Sequence, residues 1–568
     1  MIDDKGFEYN VTTDYEDFTP IGKERVYNLE LTEEEFTADG TVKDFAKLIN
    51  KEYPGTLIEA CWGDTLVVNV KNSMARNGTS MHWHGIRQLG TNHMDGVNAV
   101  TQCPTNNGET FQYKFKLQQY GHTWYHSHYS SQYSDGVAGP LLIHGPNSDD
   151  WDVEWPPLMI SDWLHNTAFQ EFNKELFGPG LPAGDSIVVN GTGRFNGKGD
   201  YYKNTFEPGK RYLIRIINAS TGLHFHFSID NHILKVVSTD LVPIEPYTTE
   251  SISVGIGQRY SVIVEAKPTA KSNDGKYWLR TEYVAGFTGC NAQLRGVDPS
   301  KRDNMRTGII SYTDATGTSD PSTSGQTSVT IGCKDEAEVR VLVPKVKWNI
   351  TSPPQNDVDD YVFEAGQDQN ATGKHFGVRH WSITNTPMWL NFSDPTLLNL
   401  DNAKSNPEYA VVDYNFRDGD KWVYMVITSG SLDSGIDKSL GGTHPIHLHG
   451  HDFVILAQNT TKYDRKNSPK YFKTDNPPRR DVAMLPGGGY LAIAFKPDNP
   501  GVWLLHCHIA WHAGSGLALQ IMERQDEIAS TLGTTAINQV QDGCKKWDDW
   551  LDATPSFNLT EVQEDSGI

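Results

Sequence analysis

Two histidines separated by one residue recur six times in this chain, and this spacing constrains the fold more than any other feature of the sequence. Random placement of 20 histidines among 568 residues would seldom give more than one such pair. Residues i and i+2 of a β-strand lie on the same face, so each pair can present two imidazoles to one region of space. The spacing therefore predicts strands whose histidines face a common site.

Four of the pairs occur in matched settings, two near the beginning of the chain and two near its end. Neutral imidazole is a common ligand of copper, zinc, iron and nickel. A single pair would be better explained by two packed histidines, but four pairs together predict a metal cluster. They are His82 and His84 in "HWHG", His126 and His128 in "HSH", His447 and His449 in "HLHG", and His506 and His508 in "HCH".

The remaining two pairs are interpreted differently. His224 and His226, in "LHFHFSID", have no matching partner pair, which favours ordinary packing. His451 shares a face with His449 only if that strand continues past Gly450, so we treat His451 as a neighbour of the cluster.

Cys507 stands between the two histidines of the last pair, and strand alternation turns its side chain to the opposite face. In "HPIHLHGH", His444 precedes the next histidine by three residues, an odd offset that also favours the opposite face, although Pro445 leaves this open. The loop after the strand carries His512. One cysteine and two histidines are the ligands of a blue-copper electron-transfer centre, so the sequence predicts two metal sites on opposite faces of one strand.

Leu517 follows Cys507 by ten residues, where the weak axial methionine of a blue-copper centre would usually lie. The next methionine is Met522. We expect Leu517 to cap the copper without ligating it; the alternative is an ordinary core leucine.

The rest of the chain is typical of an all-β protein. Short apolar runs bounded by Gly, Pro, Asn and Asp recur, among them "DTLVVNVKN", "RYLIRIINAS" and "YLAIAFKPDNPG". One helix is expected in "AINQVQDGCKKWDDWLDA". Breaks near residues 150 and 345 predict domains at 1–150, 151–345 and 346–568. The first and third domains share local similarity around their histidine pairs and are interpreted as related copies.

Composition limits the partners and the location of the protein. The formal net charge of −22 opposes binding to nucleic acid. No apolar run is long enough to span a bilayer. The start lacks a signal peptide, so the chain is either cytosolic or already processed. Nine N-x-S/T sequons favour a secreted glycoprotein; they are at Asn10, Asn77, Asn190, Asn218, Asn349, Asn370, Asn391, Asn459 and Asn558.

Read in order, the four metal motifs resemble those of the multicopper oxidases, and of ascomycete-type fungal laccases in particular. "MDGVNAVTQCP", "GQRYSVIVEA" and "NPPRRDVAMLP" are similar to further family segments, so the resemblance runs over most of the chain. It implies three cupredoxin-like Greek-key β-sandwich domains, with the cluster between the first and third. The middle domain would be copper-free and contribute to the substrate pocket.

The resemblance also implies four copper ions. Type 1 copper would be bound by His444, Cys507 and His512, and type 2 copper by His82 and His447. The type 3 pair would be bound by His84, His126, His128, His449, His506 and His508. Such a secreted, monomeric enzyme takes single electrons from phenols or aromatic amines, lignin-type phenols among them, through His512 and reduces dioxygen to two waters.

Cysteine pairing and the C-terminus follow from the same resemblance. Disulfides are implied between Cys103 and Cys544 and between Cys290 and Cys333, which leaves Cys61 unpaired. The final "DSGI" is similar to a processed tail that plugs the cluster, comprising Asp565, Ser566, Gly567 and Ile568.

Two acidic residues, Asp95 and Asp452, and one glycine, Gly222, bear on proton chemistry. Relatives often carry a carboxylate beside the type 1 pocket where this chain has Gly222, which cannot accept a phenolic proton. Dioxygen reduction consumes protons, so Asp95 and Asp452 are candidate relays. Alternatively, Asp95 forms the turn in "MDG" and Asp452 orients a histidine.

Two other classes of function remain open at this point. One is a related oxidase acting on Fe²⁺, Cu⁺, ascorbate or bilirubin with the same copper sites, although ten methionines give no sign of a Met-rich metal-oxidase surface. The other is a copper-binding protein without turnover, which would not need Cys507 between two sites. Dioxygen uptake coupled to substrate loss distinguishes them.

Overall fold

The structure is a computed structural model that describes residues 6, 8–75, 77–178, 182–283, 294–295, 305–325, 342–351, 354, 362–368, 378–384, 386–414, 419, 421–429, 442–554 and 566–568. Its regular structure consists mostly of β-strands, as predicted. The strands fall into three successive groups, which we call the first, middle and last segments. These groups lie within the predicted domain spans, and the residues at which the domains divide stay a prediction.

The first segment forms sheets with the strand orders β2-β1-β4-β6 and β3-β8-β7-β5. In β6, Phe111, Tyr113 and Phe115 are buried and the residues between them are exposed, because alternate side chains point to opposite faces. The strands are β1 (Glu24–Thr37), β2 (Val42–Ile49), β3 (Ile58–Cys61), β4 (Thr65–Asn72), β5 (Met81–Trp83), β6 (Thr110–Lys116), β7 (Gly121–Ser127) and β8 (Ala138–His144).

The middle segment forms two sheets. One has the strand order β13-β12-β11-β10-β15-β20-β17-β18, with β9 beside β15, and the other has the order β14-β22-β21-β16-β19. Its strands are β9 (Val153–Glu154), β10 (Leu158–Trp163), β11 (Ser186–Val189), β12 (Thr192–Phe195), β13 (Lys198–Gly199), β14 (Tyr202–Phe206), β15 (Arg211–Asn218), β16 (Phe225–Ile229), β17 (Leu234–Thr239), β18 (Val242–Thr249), β19 (Ile252–Val254), β20 (Arg259–Glu265), β21 (Lys276–Glu282) and β22 (Arg306–Tyr312), with helix α1 at Ala168–Phe177.

The last segment has sheets of order β24-β23-β26-β31-β28-β29 and β25-β33-β32-β27-β30. Every residue of β32 is buried, because both of its faces are covered. The strands are β23 (Val362–Asp368), β24 (His380–Ser382), β25 (Val411–Tyr414), β26 (Val423–Ser429), β27 (His444–Leu448), β28 (Phe453–Asn459), β29 (Arg479–Arg480), β30 (Val482–Leu485), β31 (Tyr490–Phe495), β32 (Gly501–Cys507) and β33 (Ala518–Glu523), and the helices are α2 (Leu400–Ser405), α3 (Ala510–Gly514) and α4 (Gln525–Ala553).

Helix α4 is covalently joined to the first segment. It contains the predicted helix and begins earlier, with a break at Gly533, where φ is 73°. A disulfide links Cys544 on α4 to Cys103 in the first segment, and Cys61 is free. The predicted Cys290–Cys333 pair lies outside the described residues. Within those residues, no helix combines the length and apolarity needed to cross a membrane.

The sequons differ in accessibility. Asn218 is fully buried in β15, and its side-chain amide donates to Leu223 O at 2.8 Å and to Val254 O at 2.9 Å. No glycan can be attached there in the folded protein, so that prediction is wrong. Asn370 and Asn558 lie outside the described residues. The others are half-buried (Asn77, Asn190) or exposed (Asn10, Asn349, Asn391, Asn459).

Candidate metal centres

Paired strands bring the histidine pairs together. In the first segment, β5 and β7 pair antiparallel with His82 opposite His126. In the last segment, β27 and β32 pair with His447 opposite His506. The second histidine of each pair follows two residues later. All eight side chains are buried.

Imidazole rings of the first segment interleave with those of the last. The ring centroids of His82 and His449 are 3.8 Å apart, and those of His84 and His447 are 4.0 Å apart, both stacked. The nitrogens form triplets within 4.8 Å, each drawing on both segments: His82, His84 and His447; His84, His126 and His508; His128, His449 and His506. The last two triplets divide the six predicted type 3 ligands into two sets of three.

Seven of the eight rings of this cluster favour the neutral form. Burial, reinforced by neighbouring imidazoles, holds the pKa of six of these histidines well below the ordinary value and lowers the pKa of His506 to about 3. Neutral imidazole is the form that binds metal. The six are His84, His126, His128, His447, His449 and His508.

Backbone carbonyls fix the orientation of several rings. Nδ1 of His82 donates to Asp95 O at 2.9 Å, and Nδ1 of His447 donates to Asp481 O at 2.7 Å. Their Nε2 lone pairs are then free, and both Nε2 atoms are buried without a hydrogen-bond partner. Unpaired buried nitrogens are unfavourable. A metal ion would satisfy them, so the residues fit the copper cluster that the resemblance implies.

Cys507, His444 and His512 form a second group on the other face of β32. Cys507 Sγ lies 3.7 Å from His444 Nδ1 and 3.8 Å from His512 Nδ1, and the two nitrogens are 3.1 Å apart. Strand β27 runs through Pro445 without a register shift. Burial raises the pKa of the Cys507 thiol and lowers the pKa of His444 to about 3. The buried thiol with two neutral imidazoles fits a blue-copper centre.

Leu517 is buried beside this second group. Cys507 N–H donates to Leu517 O at 3.0 Å, and Leu517 N–H donates to His512 O at 2.9 Å. These bonds hold the leucine close to two of the three ligands. Its axial role stays a prediction.

Asp95 lies within the histidine cluster. It is fully buried, and its Oδ2 accepts from His449 Nδ1 at 2.8 Å. Its Oδ1 is 3.2 Å from His82 Nδ1. One carboxylate thus touches a ligand from each segment, a position suited to orienting both rings.

Asp481 and Arg259 were not singled out in the sequence. Asp481 Oδ1 is 3.3 Å from His84 Nε2, and the carboxylate accepts two hydrogen bonds of 2.5 Å from the guanidinium of Arg259. Burial raises the pKa of Asp481 to about 6. The signal was available, because Asp481 lies in "NPPRRDVAMLP" and Arg259 in "GQRYSVIVEA". The pair connects the middle segment to the cluster.

Asp452 does not join the cluster. Within the described part of the chain, its side-chain partners are Tyr15 and Arg479, whose Nε is 3.1 Å away, rather than a histidine of the cluster. The relay role predicted for Asp452 is therefore not retained. His451 is likewise a neighbour, with its Nε2 3.0 Å from Glu523 Oε2.

The middle-segment pair shows contacts of ordinary packing. His224 Nε2 lies 2.7 Å from Ser253 Oγ, and burial lowers the pKa of His224 to about 3. Both histidines of the pair are buried.

Gly222 lies beside a carboxylate from another strand. A Cβ at Gly222 would be 3.5 Å from Trp511 Nε1 and 3.9 Å from Asp162 Oδ2. The carboxylate of Asp162 accepts the N–H groups of Thr221 at 2.7 Å and of Gly222 at 2.9 Å. Asp162 is buried, so a carboxylate lies next to position 222 although the residue there is glycine.

The C-terminal residues reach a cavity beside both metal groups. Ser566 N–H donates to Gly514 O at 2.6 Å, and its Oγ donates to Ala513 O at 2.8 Å. Ile568 is buried, and the same cavity is lined by His128, Cys507 and His508. Asp565 lies outside the described residues.

Comparison with known proteins agrees with this geometry. Residues 30–148, 156–314 and 377–527 each match the multicopper oxidase family. The chain is 45% identical to the laccase of Arthroderma benhamiae, over 99% of this chain and 87% of that protein. It is 41% identical to laccase-2 of Botryotinia fuckeliana, over 99% of this chain and 91% of that protein.

A solved structure extends the likeness to the fold. The laccase from Botrytis aclada superposes with a TM-score of 0.85 at 40% identity, over 99% of this chain and 97% of that chain. The prediction of three cupredoxin-like domains is confirmed by this likeness, and the two histidine-rich groups fit four copper ions. The chain belongs to the multicopper oxidase family.

Proposed function

We propose that this protein is a laccase. It takes single electrons from phenols or aromatic amines at the Cys507 group and reduces dioxygen to two waters at the histidine cluster. The observation that carries the proposal lies at the end of strand β32, where Cys507 belongs to one group and its two neighbours in the chain, His506 and His508, belong to the other. Relatives named laccase at 41% and 45% identity support the same activity.

The chain's own residues provide a route and a place for each reactant. Copper bound at the two groups would supply one-electron transfer from substrate to dioxygen. His512 is 7% exposed, against 1% for His444, so its edge is the more accessible one at the Cys507 group. The peptide units around Cys507 connect that group to the cluster by covalent bonds. Four substrate molecules each give up one electron and one proton. Dioxygen takes up these four electrons and four protons to form two waters.

Asp95 is the residue we assign to proton delivery at the cluster. Its carboxylate touches His449 and lies near His82, so it could pass protons toward the cluster while keeping both rings in place. The tail, Asp565 to Ile568, would regulate access, since Ile568 lies in the cavity beside the cluster. The remaining sequons favour a secreted glycoprotein, and we propose that it acts as a monomer.

Dioxygen uptake tests the proposal directly. The copper-loaded protein should consume one dioxygen for every four one-electron oxidations of a syringol-type phenol and produce no hydrogen peroxide. Ascorbate and Fe²⁺, assayed side by side, should be poorer substrates. Faster turnover of Fe²⁺ would indicate a metal oxidase, and copper binding without dioxygen uptake would indicate a protein that only binds copper.

A further inference from the structure

Trp381 covers one face of His512 at the Cys507 group. The centroid of its indole lies 3.9 Å from that of the His512 imidazole, with 24° between the planes, and 5.7 Å from that of His444. Trp381 is 8% exposed, so the indole forms part of the wall between these ligands and the solvent. Its orientation decides how a reducing molecule can approach the edge of His512.

Glu175 holds this indole at its N–H edge. Trp381 Nε1 donates to Glu175 Oε1 at 2.8 Å, and the backbone N–H of Trp381 donates to Ser515 O at 2.9 Å. Glu175 lies on α1, which belongs to the middle segment. Arg379 N–H donates to Leu176 O at 3.1 Å and thereby joins α1 to the chain just before β24.

The carboxyl group of Glu175 is buried, which costs free energy unless a contact compensates for it. The side chain is 2% exposed, and burial raises its pKa, opposed by the hydrogen bond from Trp381 and by the charge of Arg379. A buried carboxyl group is costly, whereas an apolar side chain would fill the same space at no such cost. An indole has one N–H donor, so one fixed acceptor selects one of its two ring flips.

We propose that Glu175 is a positioning residue for electron transfer: by accepting the Trp381 N–H, it keeps the indole stacked on His512. The middle segment thus contributes to the Cys507 group through a hydrogen bond. This inference rests on the proposed function, because it concerns the residue through which electrons would enter.

Three variants of the copper-loaded protein test the inference. Glu175→Leu removes the acceptor, Glu175→Gln keeps an acceptor oxygen, and Trp381→Phe keeps a ring but removes the N–H. The readouts are the copper EPR signal of the blue centre and the rate at which a phenol bleaches its colour without dioxygen. We expect Glu175→Leu and Trp381→Phe to change the EPR signal and to slow bleaching about tenfold. Glu175→Gln should stay within about threefold of the parent.

The double variant Glu175→Leu/Trp381→Phe provides the decisive comparison. If Glu175 acts through the indole N–H, the double variant should be no slower than the slower single variant, because both changes break the same contact. Glu171→Gln is the matched control: Glu171 is buried on the same helix but pairs with Lys174 and Arg295, so its change should leave the EPR signal unaltered.

Specific outcomes would overturn the inference. They are an unaltered EPR signal and bleaching rate in Glu175→Leu, a Gln variant as slow as the Leu variant, or losses that add in the double variant. Trp381→Phe leaves Glu175 in place, so the contact is still tested if Glu175→Leu folds poorly. A parent protein that binds copper without blue colour would instead overturn the proposed function.

Discussion

Strands β7 and β32 end in matching histidine pairs, but the residue between the two histidines differs. Ser127 in the first segment stands where Cys507 stands in the last, and Gln132 follows it by five residues as His512 follows Cys507. Thr79 precedes its histidine pair by three residues, as His444 does. The related copies therefore place Thr79, Ser127 and Gln132, which we call the polar set, at the positions of the three blue-copper ligands.

The polar set satisfies itself by hydrogen bonds. Thr79 Oγ1 and Ser127 Oγ donate to Gln132 Oε1 at 2.7 and 2.8 Å, and Gln132 Nε2 donates to Gly78 O at 3.1 Å. In the last segment, by contrast, Nδ1 of His444 and Nδ1 of His512 both face Cys507 Sγ, at 3.7 and 3.8 Å. The fold supplies the same place twice, and the side chains decide whether it becomes a metal site or a polar part of the core.

The largest effect is expected when the last segment is made to resemble the first. Cys507→Ser replaces the thiolate that blue copper requires by the hydroxyl present at Ser127. We expect complete loss of the blue absorption and of phenol turnover, measured by visible spectroscopy and dioxygen uptake. Persisting blue colour would mean that Cys507 is not the ligand.

Asp95 touches the histidine cluster but belongs neither to the polar set nor to the three blue-copper ligands. Asp95→Asn removes the charge and places an amide against His449 or His82. Loss of such a supporting group typically costs about 10–100-fold in metal affinity or activity, and we expect turnover to fall by that factor. The blue absorption should be unchanged. Loss of the blue absorption would show that the histidine cluster and the Cys507 group are not independent.

Gln132→Leu is the control on the polar set. It leaves the buried hydroxyls of Ser127 and Thr79 without their acceptor, and each unpaired group costs about 1–3 kcal/mol. We expect the free energy of unfolding to fall by this order in denaturant titration, with the blue-copper potential unaltered. An altered potential would contradict a purely structural role for the polar set.

The smallest effect concerns the axial position. Leu517→Met nearly conserves volume and should cost under about 1.5 kcal/mol of stability. A thioether donates electron density to Cu²⁺, so the reduction potential should fall. The expected drop is ~59 mV, which corresponds to a tenfold change in the equilibrium constant. Val137→Met, at the equivalent place in the first segment, should leave the potential unchanged in the same redox titration. An equal or higher potential in Leu517→Met would exclude an axial role.

Local spacing explains what could be predicted from the sequence. Strand alternation separated Cys507 from its flanking histidines, and it also placed His444 correctly across Pro445. Asp481 and Arg259 each lie in a segment that resembles the family, but the two residues are 222 positions apart, so neither segment indicated that they touch. The same holds for Asp452, whose partner Tyr15 is 437 positions away. Asn218 matched a sequon, but a three-residue motif carries no information on burial.

Anomalous diffraction at the copper absorption edge, from crystals of the copper-loaded protein, tests the central claim most directly. The claim is that one strand separates a single-copper group from a three-copper cluster, and that the equivalent polar set binds none. We predict one peak among His444, Cys507 and His512, three peaks among the eight paired histidines, and no peak at Thr79, Ser127 and Gln132. A peak at the polar set, or the absence of a peak beside Cys507 in fully loaded protein, would contradict the account.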